Sequence, residues 1–177
     1  QMFEQELGIN VVAGGVKKYI KSNSIIPRSA IVAVGIEQLY ELSLFLMEAG
    51  VKNILVEKPG LLYTREAKDL LNVSKQKSVN LFIAYNRRFY ASVIALRDNI
   101  ENDGGLMSCN FEFTEWSHEI ADLDLSGTIK SNWLVANSSH VIDLAFFIVG
   151  KPISLTSYPQ LCFLHISGLI FTIALRE

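Results

Sequence analysis

Val51-Lys52-Asn53-Ile54-Leu55-Val56-Glu57-Lys58-Pro59 opens with a short apolar run and closes on a charged pair and a proline. Asn53–Val56 reads as a buried β-strand that Pro59-Gly60 ends. A similar β-rich run precedes it, Ile31-Val32-Ala33-Val34, and another follows, Val79 to Ala84. Helical spacing fills the intervals. In Glu37 to Ala49 the apolar residues Leu39, Leu42, Leu46 and Ala49 share a face, and Gly50 stands where a C-cap glycine belongs. Thr64 is expected to cap a helix containing Ala67, Leu70 and Leu71, with Glu66 favourable in its first turn. Arg88 to Ile100 reads as a third helix, broken by Asn102-Asp103-Gly104-Gly105. Residues 30–101 therefore spell β-α-β-α-β-α. Strands joined by helices of this length run parallel with right-handed crossovers. Their continuous apolar runs predict a sheet covered on both faces.

The pattern changes after Gly105. Ser108 to Phe113 alternates, with Cys109, Phe111 and Phe113 on one face, so a half-buried strand is expected and Cys109 reads as structural. Trp116 to Ser131 reads as a polar loop. Ser138 and Ser139 can cap a helix running to Val149, with Val141, Leu144, Ala145 and Ile148 as its core stripe and Gly150-Lys151-Pro152 as its stop. Short strands are expected beyond it. The fold class is α/β: a partial Rossmann-type parallel sheet over 1–104, followed by part of a mixed or antiparallel α/β domain over 105–177. A smaller sign of the same kind lies upstream: Gly14-Gly15 follows an apolar stretch, but it is not a G-x-G-x-x-G turn, so no glycine-rich phosphate loop is legible.

Composition narrows the function. Of 177 residues, half are hydrophobic and 19% charged, with sixteen Lys+Arg against eighteen Asp+Glu for a net charge of -2; the mean hydropathy is +0.27. Such a chain is not disordered. It has no general basic field for nucleic acid. Its length suffices to bury roughly two-thirds of the unfolded surface. Cys109 and Cys162 cannot make a disulfide framework or a four-ligand zinc site, and His118, His140 and His165 share no helical metal-ligand spacing. No resident metal is expected. No signal peptide opens the chain, so a cytoplasmic location is the expectation. The longest apolar stretch, Leu161 to Leu175, is shorter than the ~20 residues a spanning helix needs. Two strands around Ser167-Gly168 are favoured there over a membrane segment.

In a doubly wound sheet, ligands bind outside the carboxyl ends of the strands. Gly35-Ile36-Glu37, Glu57-Lys58-Pro59 and Tyr85-Asn86-Arg87-Arg88 should therefore line one crevice. Lys58, leaving a buried strand, is suited to exchange a proton with a substrate hydroxyl; on residue type alone an ordinary turn lysine is commoner. His140, at a predicted helix start, should be neutral and able to relay a proton. Asp143, one turn on, could orient that ring or hydrogen-bond a sugar. The blander alternative is a backbone-satisfied histidine and a solvated aspartate. Arg87-Arg88 could meet a phosphate or carboxylate in fork geometry, against the commoner solvated pair. Trp116, His118, Asp122 and Asp124 match no metal spacing and read as a solvated loop.

Three ordered segments resemble the Gfo/Idh/MocA oxidoreductases, the group of glucose–fructose oxidoreductase and inositol dehydrogenase. The E-K-P strand end at Glu57-Lys58-Pro59 is similar to theirs. So are Ala84-Tyr85-Asn86-Arg87-Arg88-Phe89 and Asn137-Ser138-Ser139-His140-Val141-Ile142-Asp143-Leu144, where a histidine precedes an aspartate by three. A branch linked to surface-polysaccharide and sugar-nucleotide biosynthesis is also similar, less specifically. The resemblance implies an NAD- or NADP-dependent dehydrogenase or reductase acting on a sugar, sugar nucleotide or polyol. It implies an N-terminal Rossmann domain, and a C-terminal sheet that forms homo-oligomer contacts. By position Lys58 would be the catalytic lysine and His140 the proton relay. Val34, Gly35, Gln38, Glu57, Lys58 and Asn86 would flank the nicotinamide half of the cofactor. Arg87, Asn137 and Asp143 would shape the sugar site.

The chain departs from that pattern in three ways. The first strand and the glycine-rich turn are missing, which takes away the usual pyrophosphate site and weakens cofactor binding. Where many members have an aspartate four residues before the histidine, this chain has Ala136. It also stops about halfway through the expected second domain. The leading expectation is an incomplete chain of a sugar oxidoreductase. The alternatives are a non-catalytic subunit or assembly module of the same fold and, third, a small domain that binds a phosphorylated metabolite through Arg87-Arg88.

Overall fold

The computed structural model describes residues 6, 8, 11–22, 25–111, 113 and 115–150, together with the backbone of strands at 155–159, 166–167 and 169–173. A helix α1 (Gly15–Ser22) leads into strand β1 (Ser29–Val32), helix α2 (Ile36–Ala49), strand β2 (Asn53–Glu57), helix α3 (Thr64–Lys77) and strand β3 (Asn80–Ala84). The strands form a parallel sheet in the order β1-β2-β3. Fold class and parallel pairing thus follow from the apolar runs, and Gly50, at φ 102, closes α2 as its spacing predicts.

Register explains where the core lies. Val32 pairs with Val56 and Val56 with Ile83, while Ala30, Ile54 and Leu81 form the next row on the same face. Val32, Ile54 and Val56 are buried there against Leu39, Leu46 and Met47 of α2 and Leu70 of α3, and Ile20 of α1 joins them. The intervening row, Ile31, Leu55 and Phe82, points the other way and is 77%, 39% and 60% exposed. Among the described residues the sheet is therefore covered on one face, not two. Two right-handed crossovers that advance in the same direction return both helices to the same side. Continuous apolar strands show that both faces are apolar, not that this stretch of chain covers both.

Other boundaries shift for local reasons. Thr64 is the first helical residue of α3 rather than its cap. The entry is held by Glu66, whose carboxylate accepts from the backbone N–H of Leu62 (2.9 Å) and Tyr63 (3.1 Å). The third helix does not start at Arg88. Residues Asn86–Phe89 make a 3₁₀ turn, Tyr90 is extended at ψ 138, and α4 runs Ala91–Asn102.

After Gly104 and Gly105, both at positive φ, the expected strand over Ser108 to Phe113 is absent among the described residues. Residues 112 and 114 fall outside them. Cys109 is exposed, not turned into a core. Alternation sets which face a strand would bury but supplies no partner to pair with. The strand that forms here is β4 (Glu115–Trp116). The expected polar loop holds two short helices, α5 (Ser117–Asp122) and α6 (Gly127–Ser131), then α7 (Trp133–Ala136) and α8 (Ser139–Val149). Beyond lie β5 (Leu155–Pro159), β6 (Ile166–Ser167) and β7 (Leu169–Ile173); β4 pairs antiparallel with β6 and β5 with β7. The two strands expected around Ser167-Gly168 match β6 and β7. Among the described residues no helix is long and apolar enough to cross a membrane.

Candidate functional site

Each of the three strand-end segments reaches the 115–150 region through one side chain. At the end of β1, Glu37 in the first turn of α2 accepts a hydrogen bond from Ser126 Oγ at 2.8 Å. At the end of β2, Lys58 Nζ donates to the Ala136 carbonyl at 3.3 Å. After β3, Arg88 donates through two nitrogens to both carboxylate oxygens of Asp143. These contacts span 89, 78 and 55 residues. The segments that chain order keeps apart thus converge on one edge of the sheet.

Lys58, half-buried, ends at the turn that leads into α8, where His140 is the second residue. His140 is shifted below the usual imidazole range. Burial disfavours its charged form most, and the cations of Arg87 and Lys58 add to that effect. The opposing pull comes from the Asn137 carbonyl and the Glu115 carboxylate. Burial and the two neighbouring cations thus favour the neutral imidazole that the sequence leads one to expect. The His140 ring meets the Asn137 backbone, and the neighbouring Ser139 hydroxyl lies against the Tyr85 phenol.

Asp143 is neither solvated nor turned to the His140 ring. Its charge is taken by Arg88, which also lies over the rings of Tyr85 (5.7 Å) and Phe147 (5.2 Å). The sequence expectation placed Arg87 near Asp143 at the sugar site; the arginine that meets Asp143 is Arg88. A guanidinium fork matches a carboxylate, and the 3₁₀ turn aims the second arginine, not the first, at α8. Arg87 stays close enough to His140 to act on it. Val34 is half-buried. Gly35, Gln38, Glu57 and Asn86 are exposed along the strand-end edge. The Gln38 N–H bonds the Gly35 carbonyl at 2.9 Å, and nothing lies within 4 Å of where a Cβ on Gly35 would stand.

Glu115 has no counterpart in the sequence expectations. It accepts from Ser138 Oγ (2.6 Å), Trp133 Nε1 (3.0 Å) and Asn137 Nδ2 (3.3 Å). Ser138 occupies the N-cap position of α8 as expected, but spends its hydroxyl on Glu115 instead of on the helix. Among the described residues no cluster of three or more His, Cys, Asp or Glu is placed to hold a metal.

Comparison with known proteins sets this edge in context. No family model matches the chain. It is 31% identical over 156 residues to an uncharacterized oxidoreductase of Schizosaccharomyces pombe, covering 80% of this chain and 40% of that protein. The chain superposes on GenD2 from gentamicin A biosynthesis, solved in complex with NAD, with a TM-score of 0.67 and 17% identity over 98% of this chain and 51% of that one. It superposes on a candidate myo-inositol dehydrogenase of Sinorhizobium meliloti with a TM-score of 0.58 and 22% identity, over 82% of this chain and 44% of that one. The chain shares the fold of these oxidoreductases and dehydrogenases, and spans about half their length or less.

Proposed function

We propose that this chain is the catalytic centre of a Gfo/Idh/MocA-type oxidoreductase, which moves a hydride between a sugar, sugar nucleotide or polyol carbon and NAD or NADP. One observation carries the proposal: Lys58, from the end of β2, reaches the turn that presents His140, so a lysine and a neutral imidazole lie at one strand-end edge. That edge is where ligands bind in open α/β sheets. The relatives support the reading. One similar structure contains NAD, another is a candidate inositol dehydrogenase, and the fission-yeast relative is an oxidoreductase.

The residues suit a nicotinamide group. The space before Gly35 leaves its backbone open to close approach by a flat ring. Val34, Gly35, Gln38, Glu57 and Asn86 would flank the group, which when bound supplies the hydride acceptor or donor. The chain's own residues handle the proton. In the oxidative direction Lys58 Nζ holds the reacting hydroxyl and helps its proton leave. His140, neutral at pH 7, takes that proton on. The carbon gives up its hydride as the C–O bond becomes a carbonyl. Asn137 and Arg87 border this position and would orient the substrate's remaining hydroxyls. Asp143 would act through Arg88, by holding α8 in place.

The test is nicotinamide-dependent oxidation, followed by absorbance, of a panel of sugars and polyols by the protein that carries this chain. Proton transfer by a positioned side chain is worth about 10²–10⁴-fold. Lys58→Met is therefore expected to cut turnover by at least about 10²-fold while the circular dichroism spectrum stays that of the parent. Undiminished turnover would remove the assignment of Lys58. Absence of nicotinamide binding by calorimetry, with a stable oligomer, would favour a non-catalytic assembly module.

A further inference from the structure

We infer that Glu115 is a positioning residue for His140, a carboxylate from a separate strand that fixes the 133–138 segment leading to it and offsets the cations around the imidazole. The inference rests on the reading of Lys58 and His140 as proton-handling residues. Its test is chosen to be independent of any reaction.

The geometry is specific. Trp133, Asn137 and Ser138 lie in the seven residues before His140, and all three aim a donor at one carboxylate. Ser138 is fully buried. Carboxylates holding several hydrogen bonds are anchored in place, and they anchor their donors in return. The start of α8 is thereby set from outside the helix, with its own N-cap hydroxyl diverted. Burial pushes the Glu115 carboxyl up, yet the hydrogen bonds from Ser138, Trp133 and Asn137, with the field of His140, carry it below the ordinary carboxylate value. The side chain therefore stays ionised at neutral pH. The charged groups that act on His140 come from three directions: Arg87 from the 3₁₀ turn, Lys58 from the end of β2 and Glu115 from β4. Glu115 is the anion among them.

The experiment is a proton NMR titration of the histidine imidazoles in the 177-residue chain, with no cofactor or substrate present. The His140 resonance is assigned from a His140→Gln variant. Glu115→Gln removes the charge and keeps an acceptor, and is expected to move the His140 midpoint downward while His118 stays in place. Glu115→Asp keeps the charge one methylene further back, and is expected to move the midpoint down by a smaller amount. If Glu115→Gln does not fold, the Asp variant decides. A His140 midpoint that stays in place in the folded variants would overturn the inference. A shift without any oxidoreductase activity in the protein would sustain it while removing the reading on which its functional meaning depends.

Discussion

Arg88 donates to both carboxylate oxygens of Asp143, fastening the turn after β3 to the middle of α8. The Asp143 side chain is 13% exposed and that of Arg88 38%, so the pair is only partly desolvated. Hydrogen bonds to charged groups contribute about 1.5–3 kcal/mol each side of such a pair when one partner is lost. Arg88→Ala and Asp143→Asn are each expected to cost about 1–3 kcal/mol, read as a lower urea midpoint with an unchanged slope. The double variant should cost less than the sum of the singles. Arg88→Lys should fail to restore the parent midpoint, because an ammonium cannot present the fork.

Two cations lie over the Phe147 ring, Arg88 at 5.2 Å and Arg97 at 4.4 Å from its centre. Phe147→Leu keeps the site apolar and removes the ring quadrupole. A loss of about 1–2 kcal/mol is expected from two cation–π contacts at partly exposed positions. A urea midpoint equal to that of the parent would show that the stacking contributes nothing.

Acid should act on Glu115 and His140 through opposite charges but with the same sign. Glu115 titrates below its ordinary value of 4.5 in the fold, so its contribution is present above that value and is lost as pH falls through the lowered folded value. His140 titrates below 6.5 in the fold. The unfolded chain therefore takes up that proton first, and stability declines as pH drops from about 6.5. His140→Gln should flatten the stability profile just below pH 6.5, and Glu115→Gln should flatten it at more acid pH. Denaturant midpoints across a pH series check both, and a profile of unchanged slope in either variant would contradict the corresponding shift.

Gly60 supports the lysine turn from beneath. Its φ is +78, and a Cβ there would stand 2.3 Å from Ile83 Cδ1 on β3. Left-handed backbone strain costs about 1–2 kcal/mol, and displacing a packed methyl adds about 1–3 kcal/mol. Gly60→Ala is expected to lower the thermal midpoint and, by moving the turn that carries Lys58, to relax the Lys58–Ala136 contact. A variant as stable as the parent would show that Ile83 yields freely.

The sequence carried the parallel sheet well because its three apolar runs and two helical stripes are local patterns. Leu39, Leu46 and Gly50 announce α2 by spacing alone. The fate of the sheet's second face was not local: Ile31, Leu55 and Phe82 look as apolar as Val32, Ile54 and Val56, and only crossover direction separates them. Ser108 to Phe113 misled for the same reason, since alternation does not supply a partner strand. At the candidate site, strand ends and a helix start pointed to Lys58 and His140. The choice of Arg88 over Arg87 for Asp143 depended on a 3₁₀ turn that residue type does not encode. Glu115 was invisible because its three donors meet it from 18 to 23 residues away.

In the proposed proton route Lys58 and His140 act on each other across one strand-end edge, and the direct measurement is the His140 imidazole titration in Lys58→Met. Removing a cation whose field depresses the imidazole should move the His140 midpoint upward, with His118 unchanged. A His140 midpoint identical in the parent and the folded variant would contradict the shared site, and with it the proposed proton route.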